Sequence, residues 1–200
     1  MNVLPWSRAY ALLQTDSQAL LFSMTRTEER ENLFKWVGSI DENLTELIAR
    51  KDSNITIQTI ADLHKYKIGV VINDVGEQLL LAKGVPKSNL QRVVNRDQVQ
   101  HLLNSGRVDL SPDSYIGFIN FYKTAGYDPN DYESVYVLNR GQISYAFNKN
   151  TPDQIIQSLQ HALDAEFAWF SVVILHVIPA KAGIQGFCPK CWIPDKPIRK

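Results

Sequence analysis

The sequence predicts an α/β fold, a layered sheet with helices on its faces, on three observations. Residues 67–72, Lys-Ile-Gly-Val-Val-Ile, are the clearest buried strand, and a helix-like segment at 76–83 follows and closes at Gly84, a residue suited to a left-handed helix end. Strand-like and helix-like segments then alternate from 90 to 126. Two more strand-like runs, 132–138 and 142–148, complete the pattern.

In chain order, Val3-Leu-Pro-Trp6 reads as a strand end, and Ser7 is placed to cap a helix over 8–14. Residues 19–23 form a short buried strand. The segment from Thr25 to Asn32 is too charged for a core and reads as a loop at a strand's carboxyl end, where α/β folds bind ligands. Residues 34–40 and 44–50 have strand composition, 51–54 are polar, and 59–65 form a short helix or turn. A strand at 90–94, a helix at 96–104 ending at Ser105-Gly106, a strand at 108–110 and a helix at 114–125 ended by Gly126 follow. Thr151-Pro-Asp-Gln154 has the signature of a helix start, with Ile155, Ile156, Leu159, Ala162 and Leu163 on one face of a helix to about Glu166. Beyond it, 167–178 is apolar without helical period, and 179–200 is a Pro-containing, basic stretch read as an appendage.

The chain has 200 residues, 44% hydrophobic and 21% charged, the profile of a globular protein. Lys plus Arg equals Asp plus Glu at 21 each, so no long-range field draws it to nucleic acid or an acidic membrane. No run is long and apolar enough to span a bilayer, and the first residues lack the pattern of a secretory signal, which reads as cytoplasmic for the chain as written. His64, His101, His161 and His176 fall in unrelated contexts and read as surface or capping residues. No nucleophile-elbow, Walker or dinucleotide-binding motif is present, so no cofactor and no enzyme activity is expected. Cys188-Pro-Lys-Cys191 is a lone pair, half a zinc site at most.

The segments Leu4-Pro-Trp-Ser-Arg-Ala-Tyr10, Leu21-Phe-Ser-Met-Thr-Arg-Thr-Glu-Glu-Arg30 with its continuation to Gly38, Ile68-Gly-Val-Val71, Gly106-Arg-Val-Asp-Leu110 and Ala146-Phe-Asn-Lys-Asn-Thr-Pro-Asp153 resemble the family 3 extracellular solute-binding proteins. These are the polar amino-acid binding components of bacterial ABC importers. The resemblance covers residues 1–166. It implies a periplasmic-binding-protein type II fold, two α/β lobes joined by crossover strands and closing on ligand like a hinged trap. It further implies that 1–40 with 146–166 make a partial first lobe and 41–145 the second, with 167–200 a non-family tail. It implies a monomer that captures a small polar solute, an amino acid or similar, and delivers it to an ABC permease from the periplasm. Against the family pattern the chain starts inside lobe one, and His176-Val-Ile-Pro-Ala-Lys-Ala-Gly-Ile-Gln185 with Trp192-Ile-Pro resembles the translation of a dispersed intergenic repeat, as expected of a truncated or remnant reading frame. The same fold also serves as a sensing module in signalling proteins.

What the resemblance implies for the site follows residue by residue. Arg30 matches the residue that clamps a ligand carboxylate, a task suited to the guanidinium fork. Ser23 and Thr25 match hydroxyl positions of the same site, with Arg26 a rival to Arg30 and pairing of Arg30 with Glu28 or Glu29 on a solvated loop the plainer alternative. Asp113 matches the acid that faces a ligand ammonium across the cleft, although Ser111-Pro-Asp113 is one residue shorter than the common pattern. Asp109 reads as a strand cap. Asn73-Asp-Val75 stands where many members carry Gly-Thr-Thr, so hydroxyls are lost and an acid is gained. Trp6, Trp36 and Tyr10 serve either as cleft aromatics or as core.

Overall fold

The computed structural model describes residues 4–177. They fall in two compact units that divide after Thr151.

In the first unit, α1 (Trp6–Thr15) buries Tyr10 and Leu13, three residues apart on one face. Pro5 precedes it and no side chain caps it; Ser7 lies inside the first turn, so the expected cap is displaced by the proline. Strand β1 (Leu20–Arg26) pairs antiparallel with β6 (Tyr132–Asn148), its register shifting between Leu21 and Met24, where Ser23 takes a left-handed φ of 55°. The expected loop from Thr25 to Asn32 is instead the end of β1 followed by a single turn, α2 (Glu28–Glu31). Strand pairing and the buried side chains of Met24 and Thr25 outweigh the charge density that suggested a loop.

Two expected pairs of short strands are two long ones. Strand β2 (Phe34–Arg50) and β6 each run for 17 residues and pair from Phe34↔Asn148 to Arg50↔Tyr132. Their polar middles, around Asp41–Asn43 and Asn139–Gly141, broke the hydrophobic pattern, but each satisfies the other's backbone. The strand ends are buried in separate cores. Phe34, Trp36 and Ala146 pack with Tyr10, Leu13 and Met24, while Leu47, Ala49 and Leu138 pack with Leu63, Ile68, Leu80 and Leu110.

The second core carries the βα units. Parallel strands β3 (Ile68–Val71) and β4 (Leu90–Val93) lead into α3 (Val75–Ala82) and α4 (Arg96–Asn104). Gly84, at φ 85°, ends α3 as expected. The strand expected at 108–110 is displaced: β5 is Ser111–Asp113, paired with β2, while only Leu110 bridges to Ile68. Asp109 explains the offset, because its carboxylate accepts from the Lys67 amide at 2.8 Å while its own amide donates to the Lys67 carbonyl at 2.8 Å. This is the structural role expected for Asp109. Helix α5 (Tyr115–Thr124), capped by Ser114 and ended by Gly126, packs Phe118 and Tyr122 with Ile48, Leu103, Val108 and Tyr132.

The second unit holds α6 (Asp153–Val177). It continues past the expected end near Glu166. Cys188, Cys191 and the repeat-like segment from residue 178 onward lie outside the described residues.

Candidate ligand-binding site

Parallel strands point their carboxyl ends, and the first turns of the helices that follow, at one region. Here that region is a cavity of about 280 Å³ beyond Val71 of β3 and Val94 after β4, closed by Ser111, Pro112 and Asp113 of β5. Trp6, Asp74, Glu77, Asn95 and Arg96 complete its polar lining. It is small by the measure of ligand sites, which run to roughly 300–1,000 Å³.

Each polar group is positioned by local structure. Asp74 caps α3, accepting the Val75 amide at 2.7 Å. Asp113 ends β5, accepts the Ser114 amide at 2.7 Å, and forms an ion pair with Arg96, the first residue of α4. The Arg96 guanidinium lies 4.8 Å from the Phe121 ring centroid. Glu77, 3% exposed, accepts from the Asn73 amide at 2.7 Å and pairs with Arg92. Trp6 opens α1, and its indole N–H donates to the Asn73 carbonyl at 2.9 Å. Asn73 adopts the left-handed region at φ 61°.

Burial raises the Asp113 carboxyl to about 6, against the opposing charge of Arg96 and the Ser114 amide. Burial raises Asp74 as well, opposed by the Val75 amide and Arg30.

Gly76 sets how closely α3 approaches β5. A Cβ there would stand 2.6 Å from Pro112 Cβ and closer still to its Cγ. Gly76→Ala is therefore expected to push β5 and Asp113 away from α3 and to cost about 1–3 kcal/mol, read as a lowered urea midpoint at unchanged slope.

The residues named from sequence are placed as follows. Trp6 and Asp113 line the cavity; Asn73 does not, and its carbonyl accepts the Trp6 indole N–H behind it. Arg30 does not line it. At 1% exposure it donates from Nε to Gln78 Oε1 at 2.7 Å, from Nη1 to the Thr25 carbonyl at 3.1 Å and from Nη2 to the Asn73 carbonyl at 3.4 Å. Its guanidinium lies 5.5 Å from the Trp6 ring centroid and 5.4 Å from that of Tyr10. The solvated-loop alternative for Arg30 is thus replaced by a buried one. Arg26, its rival, is held in a bidentate pair with Glu31 at 2.5 and 2.6 Å. Thr25 is buried beneath Arg30, and Ser23 is exposed on β1; neither lines the cavity. Tyr10 and Trp36 are core residues.

Sequence reasoning missed Arg96, Glu77 and Gln78, and met Asp74 only as part of the Asn73-Asp-Val75 loop. The available signal was positional: each lies at or just after the start of a helix that follows a parallel strand. A second hollow, about 700 Å³ and open to solvent, lies along Arg26, Glu28, Lys83 and Arg140. Among the described residues no group of three His, Cys, Asp or Glu side chains is placed to hold a metal ion, and no helix is long and apolar enough to cross a membrane.

No protein-family model and no curated protein sequence matches the chain. Solved structures do match. A mutant of ArgBP from T. maritima superposes with TM-score 0.71 at 18% identity, over 87% of this chain and 74% of that one. A histidine kinase sensor domain with similarity to periplasmic binding proteins gives 0.70 at 14% identity, over 86% and 75%. An ancestral arginine-binding protein bound to glutamine gives 0.65 at 22% identity, over 82% and 72%. The fold is therefore a mixed α/β fold shared with amino-acid-binding proteins and with a sensor domain similar to periplasmic binding proteins.

Proposed function

We propose that the chain captures a small polar solute of amino-acid size in the cavity at the ends of β3, β4 and β5, as the binding component of an ABC-type importer. The observation that carries this is the convergence of Trp6, Asp74, Arg96 and Asp113 on one small cavity at the sheet edge where this fold holds ligands. Asp113 receives the cationic end of the solute and Trp6 forms its aromatic wall. Arg30, Thr25 and Asn73 act from behind, holding the first turn of α1 and the loop before α3 in place. The two long strands β2 and β6, exposed at their centres and buried at their ends in separate cores, are the crossover between two lobes.

A thermal melt of the purified chain with pools of amino acids, amines and other small polar solutes tests this reading. Binding to the folded state adds about 2.7 kcal/mol at a hundredfold excess over Kd, so one pool is expected to raise the midpoint by several degrees. A transition indifferent to every pool contradicts solute capture. A second reading, the ligand-sensing module of a signalling protein, is favoured by the likeness to a histidine kinase sensor domain. Pull-down against a reconstituted ABC permease separates the two, since only the importer component binds it.

A further inference from the structure

We infer that Arg96, and not Arg30, holds the anionic end of the solute, so that the cavity takes a zwitterion, a compound with a carboxylate beside an ammonium group. This rests on the solute-capture reading and deepens it.

Arg96 lines the cavity and Arg30 does not. The donors of Arg30 are engaged inside the fold, Nε by Gln78, Nη1 by the Thr25 carbonyl and Nη2 by the Asn73 carbonyl. Arg96 differs. Its Nε and Nη2 are buried and neither has a hydrogen-bond partner, which holds for no other charged side chain among the described residues. Nη2 meets Asp113 Oδ2 as an ion pair, but not in the alignment of a hydrogen bond. The other oxygen of Asp113, Oδ1, is held by the Ser114 amide at 2.7 Å. A buried donor without an acceptor is costly. Nε with Nη2 is also the edge by which a guanidinium grips a carboxylate through two parallel bonds. The side chain as a whole is 40% exposed, so the guanidinium has room to turn this edge to the cavity as Asp113 swings to the ammonium.

Charge decides what else the solute carries. The acids of the lining are Asp74, Glu77 and Asp113. Arg30 answers Asp74 through space, Arg92 pairs with Glu77, and Arg96 pairs with Asp113. The surroundings are balanced, so a solute of zero net charge enters without leaving a buried charge unanswered. A lone acid or a lone amine would open the Arg96–Asp113 pair and satisfy one member only. A carboxylate with a neighbouring ammonium satisfies both, the first on Arg96 and the second on Asp113.

Titration calorimetry at pH 7.5 tests this with the standard amino acids that raise the melting midpoint and with their α-carboxamides, which keep the ammonium and lose the carboxylate. The parent is expected to bind an amino acid about thirtyfold or more tightly than its carboxamide. In Arg96→Gln that preference is expected to collapse toward one, with the carboxamide affinity retained. Arg96→Lys, the gentler substitution for the fold, is expected to keep only part of the preference, because the charge remains without the fork. An unchanged preference in either variant, or an equal loss of both compounds in Arg96→Gln, overturns the assignment to Arg96 and leaves solute capture standing. A parent that binds the carboxamide as tightly as the amino acid does the same, as does a melting midpoint raised by other solutes but by no amino acid. A midpoint raised by no solute at all removes both readings together.

Discussion

Replacing Arg30 by alanine is expected to lower the stability of the chain by about 3–5 kcal/mol. Arg30 is 1% exposed, and its guanidinium donates to Gln78 and to the carbonyls of Thr25 and Asn73. Truncation leaves those acceptors buried without donors, at about 1–3 kcal/mol each where water cannot enter, and removes the cation lying against the Trp6 and Tyr10 rings. Against a total stability of roughly 5–15 kcal/mol, this is a large fraction. Urea denaturation followed by tryptophan fluorescence measures it. Arg30→Lys is expected to recover part of the loss, because the charge returns without the planar fork. A variant as stable as the parent contradicts the buried role. The variant does not isolate a ligand contact, since any loss of binding would follow from the loosened fold.

Asp113→Asn isolates one. The amide keeps an oxygen for the Ser114 backbone and nearly the same volume, but removes the charge that answers a bound cation. The solute that raises the melting midpoint is expected to bind at least thirtyfold more weakly, corresponding to about 2 kcal/mol, the lower end for losing a buried charge partner. Titration calorimetry on parent and variant gives the ratio, and equal affinities would sink the role of Asp113. The same residue sets a pH dependence. Burial raises its carboxyl to about 6, so the ionised form prevails above that value and is lost below it. Asp74 is raised in the same direction. Affinity for a solute with a cationic end is thus expected to fall as pH drops from 7.5 through 6, by up to about tenfold per unit for one proton, and Asp113→Asn is expected to flatten that slope.

Much of the second core was legible because its signals are local. The apolar run 67–72, the helix closing at Gly84 and the helix from Arg96 were all found close to where they lie, since strand burial and helix ends are written in neighbouring residues. The long strands were not, because Asp41–Asn43 and Asn139–Gly141 look like breaks until each is seen to pair with the other a hundred residues away. The site divides along the same line. Asp113 and Trp6 came from resemblance to a family pattern and do line the cavity. Arg96 and Glu77 have no motif of their own; what puts them there is the parallel pairing of β3 with β4, which points both following helices at one place. Gln78 was invisible for a sharper reason. Its contact with Arg30 spans 48 residues, and nothing in either local sequence indicates that a neutral side chain satisfies the arginine.

The most direct test of the central claim is hydrogen–deuterium exchange of the chain with and without the solute pool that raises its melting midpoint. Capture at the sheet edge predicts added protection at the amides of 75–78, 96–99, 111, 113 and 114, in the segments that surround the cavity. Protection confined to 26–31 and 139–141, along the second hollow, would place the solute elsewhere and contradict the account.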